Sequence, residues 1–325
     1  MALQASLEQE VASYRQELYA SSTKKAYSSH LRKYFEFCSK LGCPPIPASP
    51  NTIAMYSAYL ARSLRATSIR GYLNIIRLLH LESGLPNPLS DNWYVHSTLK
   101  GIDRVLGQPA SRRTPIHPSL LMSLKCVLDL SCIEDVMFWA AALVMFYGLL
   151  RKSNLFPDSV SSFDPRKHLL RSDFSLAPDS SISVSVRHSK TNQFHQRLFN
   201  FKLLPTSHSL SAPDAIHRAF QLVTLPASAP AFVQSRNGAP MTGSFFNDKL
   251  KSLLKSLGVD SASYSTHSFR RGGACWALQC GVPGEIVQQL GDWKSDCYKQ
   301  YLDQLPEAVH DQYRLLCIDK LPSPP

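Results

Sequence analysis

The sequence predicts a mainly α fold with a small antiparallel β-sheet, an α+β chain in which helices dominate, and three observations carry that prediction. From Leu3 to about Leu106 apolar residues recur at helical spacing, and no stretch alternates in the strand period. At Ile182, Val184 and Val186 the pattern changes to alternation, with serines between and Arg187 beside them. From Ala212 onward the helical spacing returns. A chain of 325 residues, 44% of them hydrophobic, can bury a substantial core and has the length of two domains.

The elements follow in order. Ser21-Ser22-Thr23 can cap a helix through Tyr27, Leu31, Tyr34, Phe35 and Cys38, which Gly42 ends. Ser49-Pro50 opens a second helix, through Ile53, Met55, Tyr56 and Leu60. Thr67-Ser68 starts a third, carrying Tyr72, Ile75, Ile76, Leu78 and Leu79 with Arg65, Arg70 and Arg77 among them. Short loops between such helices imply an antiparallel bundle. Near Gly107 to Pro115 the run Gly-Gln-Pro-Ala-Ser-Arg-Arg-Thr-Pro reads as an extended basic linker. The chain therefore divides into a helical domain at 1–107, a linker at 108–116 and a second domain at 117–325. In that second domain helices are expected at about His117 to Leu130 and Ile133 to Leu150. The strand at Ile182 to Val186 finds its partner in the run Leu198 to Leu204. Helices then follow at Ala212 to Val223, Gly243 to Leu257, Thr266 to Cys280, Pro283 to Leu290 and Ser295 to Cys317.

A formal charge of +11 favours a polyanionic partner, with DNA or RNA ahead of a membrane surface. The eight cysteines form no CxxC pair, which argues against a zinc site; they read as reduced thiols of an intracellular protein. The apolar stretch Phe138 to Leu150 is too short to span a bilayer and reads as a core helix.

The strongest local signal is Thr266-His267-Ser268-Phe269-Arg270-Arg271-Gly272-Gly273-Ala274. Ser265 or Thr266 can cap this helix, and His267 and Arg270 lie on one face, where both can reach one phosphate. Gly272-Gly273-Ala274 lacks bulk and allows close packing. Alone, a His-x-x-Arg pair suits any polar helix start. The later run Leu290-Gly291-Asp292-Trp293-Lys294-Ser295-Asp296-Cys297-Tyr298-Lys299-Gln300-Tyr301 changes its weight, because Trp293 follows Arg270 by 23 residues and precedes Tyr301 by 8. Together the two segments resemble the C-terminal signature of the tyrosine recombinase, or phage integrase, family. Upstream, Phe146-Tyr147-Gly148-Leu149-Leu150-Arg151-Lys152-Ser153-Asn154-Leu155 resembles the family's first arginine box. Arg187-His188-Ser189-Lys190-Thr191-Asn192 lies where the family keeps a catalytic lysine on a hairpin. The Arg-Lys-Ser-Asn-Leu wording and the Trp-to-Tyr spacing are most similar to recombinases of eukaryotic mobile elements of the DIRS, Ngaro or Crypton kind. Two departures stand out. Asn154 occupies a place where the family often has an acidic residue, and Arg151 and Lys190 are 39 residues apart, with Lys152, Lys167 and Lys202 as alternatives to the latter.

The resemblance implies a core-binding domain followed by a catalytic domain, closing as a C-shaped clamp on double-stranded DNA. It implies a site-specific recombinase that cleaves and rejoins DNA through a 3′-phosphotyrosine intermediate. The catalytic set is then Arg151, Lys190, His267, Arg270, Trp293 and Tyr301. Arginine suits the two-point grip of a phosphorane, and a tyrosine hydroxyl with an ordinary pKa near 10 needs a base such as His267. Lys190 would protonate the leaving 5′ oxygen, and Trp293 would offer its indole N–H. No metal, ATP or other cofactor is expected, since side chains supply the positive charge. Tyr298 is the rival nucleophile, three residues before Tyr301. Lys24, Lys25, Arg65, Arg70, Arg77 and Arg271 are candidate DNA contacts. The resemblance also implies a tetramer on two DNA sites, with the stretch Pro306 to Cys317 as a docking helix, and a nuclear place of action; no membrane partner is expected. Two readings compete: a domesticated DNA-binding protein that keeps the fold without the chemistry, and a type IB topoisomerase.

Overall fold

At three points in the first third of the chain, a helix boundary falls where a side chain or a glycine satisfies backbone groups. The computed structural model describes residues 2–107, 113–188, 199–293 and 298–299. It divides into two compact units, Met1–Ser111 and Arg112–Pro325. The first holds five helices: α1 (Ala2–Gln16), α2 (Ser21–Leu41), α3 (Pro50–Ala61), α4 (Ala66–Glu82) and α5 (Trp93–Leu106). Gly42 ends α2 with a positive φ of 63°, a conformation that costs glycine little. The Ser49 hydroxyl accepts from the Thr52 N–H at 3.0 Å to start α3, and Asn92 caps α5 through the Val95 N–H at 3.1 Å. The third helix starts one residue earlier than its hydroxyls suggest, at Ala66, with Arg65 in the capping position and no side-chain cap bond. The apolar faces of α2, α3 and α4 meet in a core of Tyr34, Phe37, Ile53, Tyr56, Leu60, Ile69, Leu73 and Ile76. His80 is buried there. Its Nε2 accepts from the Ala48 N–H at 2.9 Å and its Nδ1 donates to the Ile76 carbonyl at 2.8 Å, which ties the loop before α3 to α4.

The second unit is built round α7 (Ile133–Tyr147), whose residues from Asp135 to Phe146 are all buried. Such a helix shows no amphipathic stripe because it is covered on every side. Around it lie α6 (Pro118–Cys126), the short α8 (Lys152–Leu155), α9 (Ala212–Leu222), α10 (Gly243–Ser256), α11 (Thr266–Gln279) and α12 (Gly284–Leu290). A three-stranded antiparallel sheet, ordered β1 (Phe174–Leu176), β2 (Ile182–Val186) and β3 (Phe199–Leu203), pairs Phe174 with Val184 and Val184 with Phe201. Ile182, Val184 and Val186 face the core, as their alternation predicts. Helices α6 and α7 are shorter than their apolar runs. At the end of α7, a Cβ on Gly148 would come within 2.5 Å of the Phe201 ring, and Leu149 then takes a left-handed φ of 48°, so the chain turns instead of coiling on to Leu150.

Within the segment read as linker, Thr114 and Ile116 are backbone donors to Ser263 (2.8 Å) and Ser268 (3.0 Å), so the extended stretch from residue 113 on packs along the start of α11. The expected helix from Ser295 to Cys317 lies outside the described residues except for Tyr298 and Lys299. Among the described residues no helix is long and apolar enough to cross a membrane.

Candidate active site

Two turns and one helix start converge. The first turn follows α7. Leu149 is 2% exposed in its left-handed conformation, which costs a branched L-residue about 1–2 kcal/mol and therefore marks a place where the surroundings dictate the backbone. Arg151 comes next, half-buried, with Asn154 beneath it. The Asn154 Oδ1 accepts from the Arg151 N–H at 3.0 Å, and its Nδ2 donates to the His188 carbonyl at 2.8 Å. One buried amide thus joins the first arginine to the outgoing end of β2.

The helix start is that of α11, where the Ser268 hydroxyl accepts from the Ser265 N–H at 3.1 Å. Arg270, 2% exposed, points back from the first turn of α11. It donates through Nη1 to the Leu149 carbonyl and through Nη2 to the Gly291 carbonyl at 2.6 Å, linking the turn after α7 to the turn after α12. Its guanidinium lies 4.1 Å from the centre of the Trp293 ring, a cation–π stack. The close fit depends on Gly272 and Gly273, where a Cβ would stand 2.0 Å from the Ile116 carbonyl oxygen and 1.9 Å from that of Phe146. His267 keeps one side open to solvent. Packing round its ring, then the positive charge of Arg270, Arg271 and Arg151, push its pKa down to about 4. Its imidazole is therefore neutral at pH 7 and able to accept a proton.

In the second turn Asp292 also has a left-handed φ, 49°. Its carboxylate lies 3.8 Å from the Arg151 Nη1, and its carbonyl accepts from the Arg151 Nη2 at 3.5 Å. Tyr298 is 7% exposed and packs in an apolar cluster with Leu149, Ala274, Cys275 and Val287.

No family model matches the chain. An integrase/recombinase XerD homolog of Selenomonas ruminantium is 24% identical over 88% of this chain and 82% of its own length. The Tn1549 transposon integrase, solved in complex with transposon right-end DNA, superposes with a TM-score of 0.61 at 14% identity, over 93% of this chain and 95% of that one. The XerH site-specific recombinase, bound to its palindromic difH substrate, gives 0.63 at 12% identity over 90% and 79%. A lambda integrase dimer bound to a core site gives 0.58 at 14% identity over 99% and 80%. The fold is that of a tyrosine recombinase. The sequence relative carries an integrase and recombinase name, and the structural neighbours share this fold.

Within this recombinase fold, Arg151, His267, Arg270 and Trp293 come together from three separate segments. Lys190 and Tyr301 lie outside the described residues. The three alternative lysines are each held by a carboxylate: Lys152 by Asp158 at 3.4 Å, Lys167 by Asp164 at 3.3 Å and Lys202 by Asp179 at 3.0 Å. Among the candidate DNA contacts, Lys24, Lys25 and Arg65 are exposed. Arg70 is exposed too but makes a two-point pair with Asp103, and Arg77 donates to the Asn74 side chain at 2.9 Å. Arg271 departs from the surface position expected of a DNA contact. It is 3% exposed and donates to the Arg113 carbonyl, bracing the extended stretch before α6. Sequence reasoning did not find Asp292 as a partner of Arg151. The two are 141 residues apart, and Asp292 stood only as the residue before Trp293. Among the described residues no group of three or more histidine, cysteine, aspartate or glutamate side chains is placed to hold a metal ion.

Proposed function

We propose that this chain is a site-specific DNA recombinase that cleaves and rejoins duplex DNA through a 3′-phosphotyrosine intermediate. The observation that carries the reading is the convergence of Arg151, Arg270, Trp293 and a neutral His267 on one patch of a recombinase fold. Arg151 and Arg270 neutralise the scissile phosphate and the extra charge of its phosphorane. His267 takes the proton of the attacking hydroxyl. That hydroxyl is assigned to Tyr301 from its spacing after Trp293, and the burial of Tyr298 in an apolar cluster supports the choice. Lys190 is the assigned donor to the leaving 5′ oxygen, and the carboxylate partners of Lys152, Lys167 and Lys202 favour it over them. The tyrosyl ester conserves the energy of the broken bond, so a second 5′ hydroxyl can reverse the step without ATP.

Duplex DNA as partner is supported by the net charge of +11 and by the DNA complexes of the structural neighbours. A tetramer on two sites, an origin in a eukaryotic mobile element of the DIRS, Ngaro or Crypton kind, and a nuclear place of action rest on the wording of the sequence motifs. The test incubates the protein in EDTA with a duplex nicked beside a candidate site and looks for an SDS-resistant protein–DNA adduct. The adduct is expected with the wild type and with Tyr298→Phe, and is lost with Tyr301→Phe. Binding without an adduct at every site tried would favour a silent DNA-binding protein. Changed linking number without exchange between two duplexes would favour a topoisomerase.

A further inference from the structure

We propose that Asp292 is a positioning residue for Arg151, a carboxylate that holds the guanidinium in place before DNA arrives; this rests on the recombinase reading above. The first arginine box carries no acid of its own, because position 154 is asparagine. Nor can Asn154 be read as a weakened acid. Its Oδ1 and Nδ2 are both committed to backbone groups, the Nδ2 as a donor to the His188 carbonyl, a bond no carboxylate can make. The negative charge enters instead from the turn after α12. Asp292 addresses both terminal nitrogens of Arg151, Nη1 with its carboxylate at 3.8 Å and Nη2 with its carbonyl at 3.5 Å.

Three further facts make this a built feature. The Asp292 side chain is 7% exposed and that of Arg151 22%, so water screens the pair little. Asp292 is held at a φ of 49°, a conformation that aspartate and asparagine tolerate better than most residues. Its neighbour Gly291 accepts from Arg270, so the turn that presents the carboxylate is tied to the second arginine. The separations are longer than those of a tight bidentate pair, so the carboxylate orients the group without locking it. Since Arg270, Arg271 and Arg151 share one region around His267, a fixed negative charge beside them also lowers their mutual repulsion. An arginine ordered in advance meets the phosphate without first losing side-chain freedom.

The test is a mutant cycle. Asp292→Asn keeps shape and backbone preference and removes only the charge. It is combined with Arg151→Lys, and three quantities are read: the single-turnover rate of adduct formation on the nicked duplex, non-covalent DNA affinity in a Tyr301→Phe background, and the Arg151 Nε–H signal in nitrogen-resolved NMR spectra. The expected result is a fall of about 10- to 100-fold in adduct rate for Asp292→Asn, with DNA affinity and melting temperature nearly unchanged and the Arg151 signal shifted and broadened. In the Arg151→Lys background the same change should add little. Equal losses in both backgrounds would show that Asp292 only supports the fold, and a faster Asp292→Asn would make it a brake; either overturns the proposal. If the wild type forms no adduct, the recombinase reading fails by itself. The Arg151 signal then still decides the pairing, and a signal unmoved by Asp292→Asn would end it.

Discussion

Asn154 shows how much a single amide can hold at the residue scale. Asn154→Asp should keep the acceptor for the Arg151 N–H but set a carboxylate against the His188 carbonyl. The expected cost is about 1–3 kcal/mol, read by urea unfolding, with Asn154→Gln as a length control. His267 gives a pH prediction whose sign follows from its pKa, held down to about 4 against an ordinary value of 6.5. As pH falls below 6.5 the unfolded chain takes up this proton before the folded one does. The contribution of His267 to stability is thus whole above 6.5, drains away between 6.5 and about 4, and changes no further below that. A histidine-resolved NMR titration should place its midpoint near 4 in the free protein and higher once DNA phosphates lie beside it; a midpoint at or above 6.5 in the free protein would remove the neutral base. Residues of this kind were legible in the sequence only where local words carry them. His267 and Arg270 share one helical turn, and Trp293 follows at a counted interval, so they could be named in advance. The Asp292 link to Arg151 crosses 141 residues and has no local signature.

Elements were legible where their burial is one-sided. The alternation of Ile182, Val184 and Val186 gave β2 directly, because one face is covered and the other is not. Strand β1 escaped notice: its three residues are too few to show a period, and two of them are exposed. The end of α7 could not be read either, since its apolar run continues through Leu149 and Leu150 while the backbone leaves the helix at Leu149, whose φ is 48°. Packing between elements leads to a paired prediction on glycines. Gly273→Ala would put a methyl 1.9 Å from the Phe146 carbonyl oxygen, a backbone atom that cannot swing aside. It should cost about 1–3 kcal/mol or more in thermal unfolding and slow adduct formation by moving α11 off α7. Gly101→Ala, inside α5 with nothing within 4 Å, should instead stabilise by up to about 1 kcal/mol. If both changes destabilise alike, close packing is not what Gly273 provides.

For the whole molecule, charge is the property that reaches furthest. With 35 basic against 24 acidic residues, binding to duplex DNA should weaken steeply with salt, log Kd rising linearly with log salt. Lys24→Ala and Lys25→Ala should each flatten that slope by about one ion, whereas Arg271→Ala, buried on the Arg113 carbonyl, should lower the melting temperature and leave the slope in place. A filter-binding salt series on the three variants separates the two behaviours. The bonds of Arg270 have a further consequence, in the timing of protein synthesis. Its guanidinium needs the Leu149 carbonyl, made 121 residues earlier, and the Gly291 carbonyl, made 21 residues later. During synthesis the Leu149 carbonyl is therefore in place long before Arg270 is made, and the Gly291 carbonyl follows it. The bridge that Arg270 makes between the two turns is therefore completed only when the turn at Gly291 and Asp292 has left the tunnel.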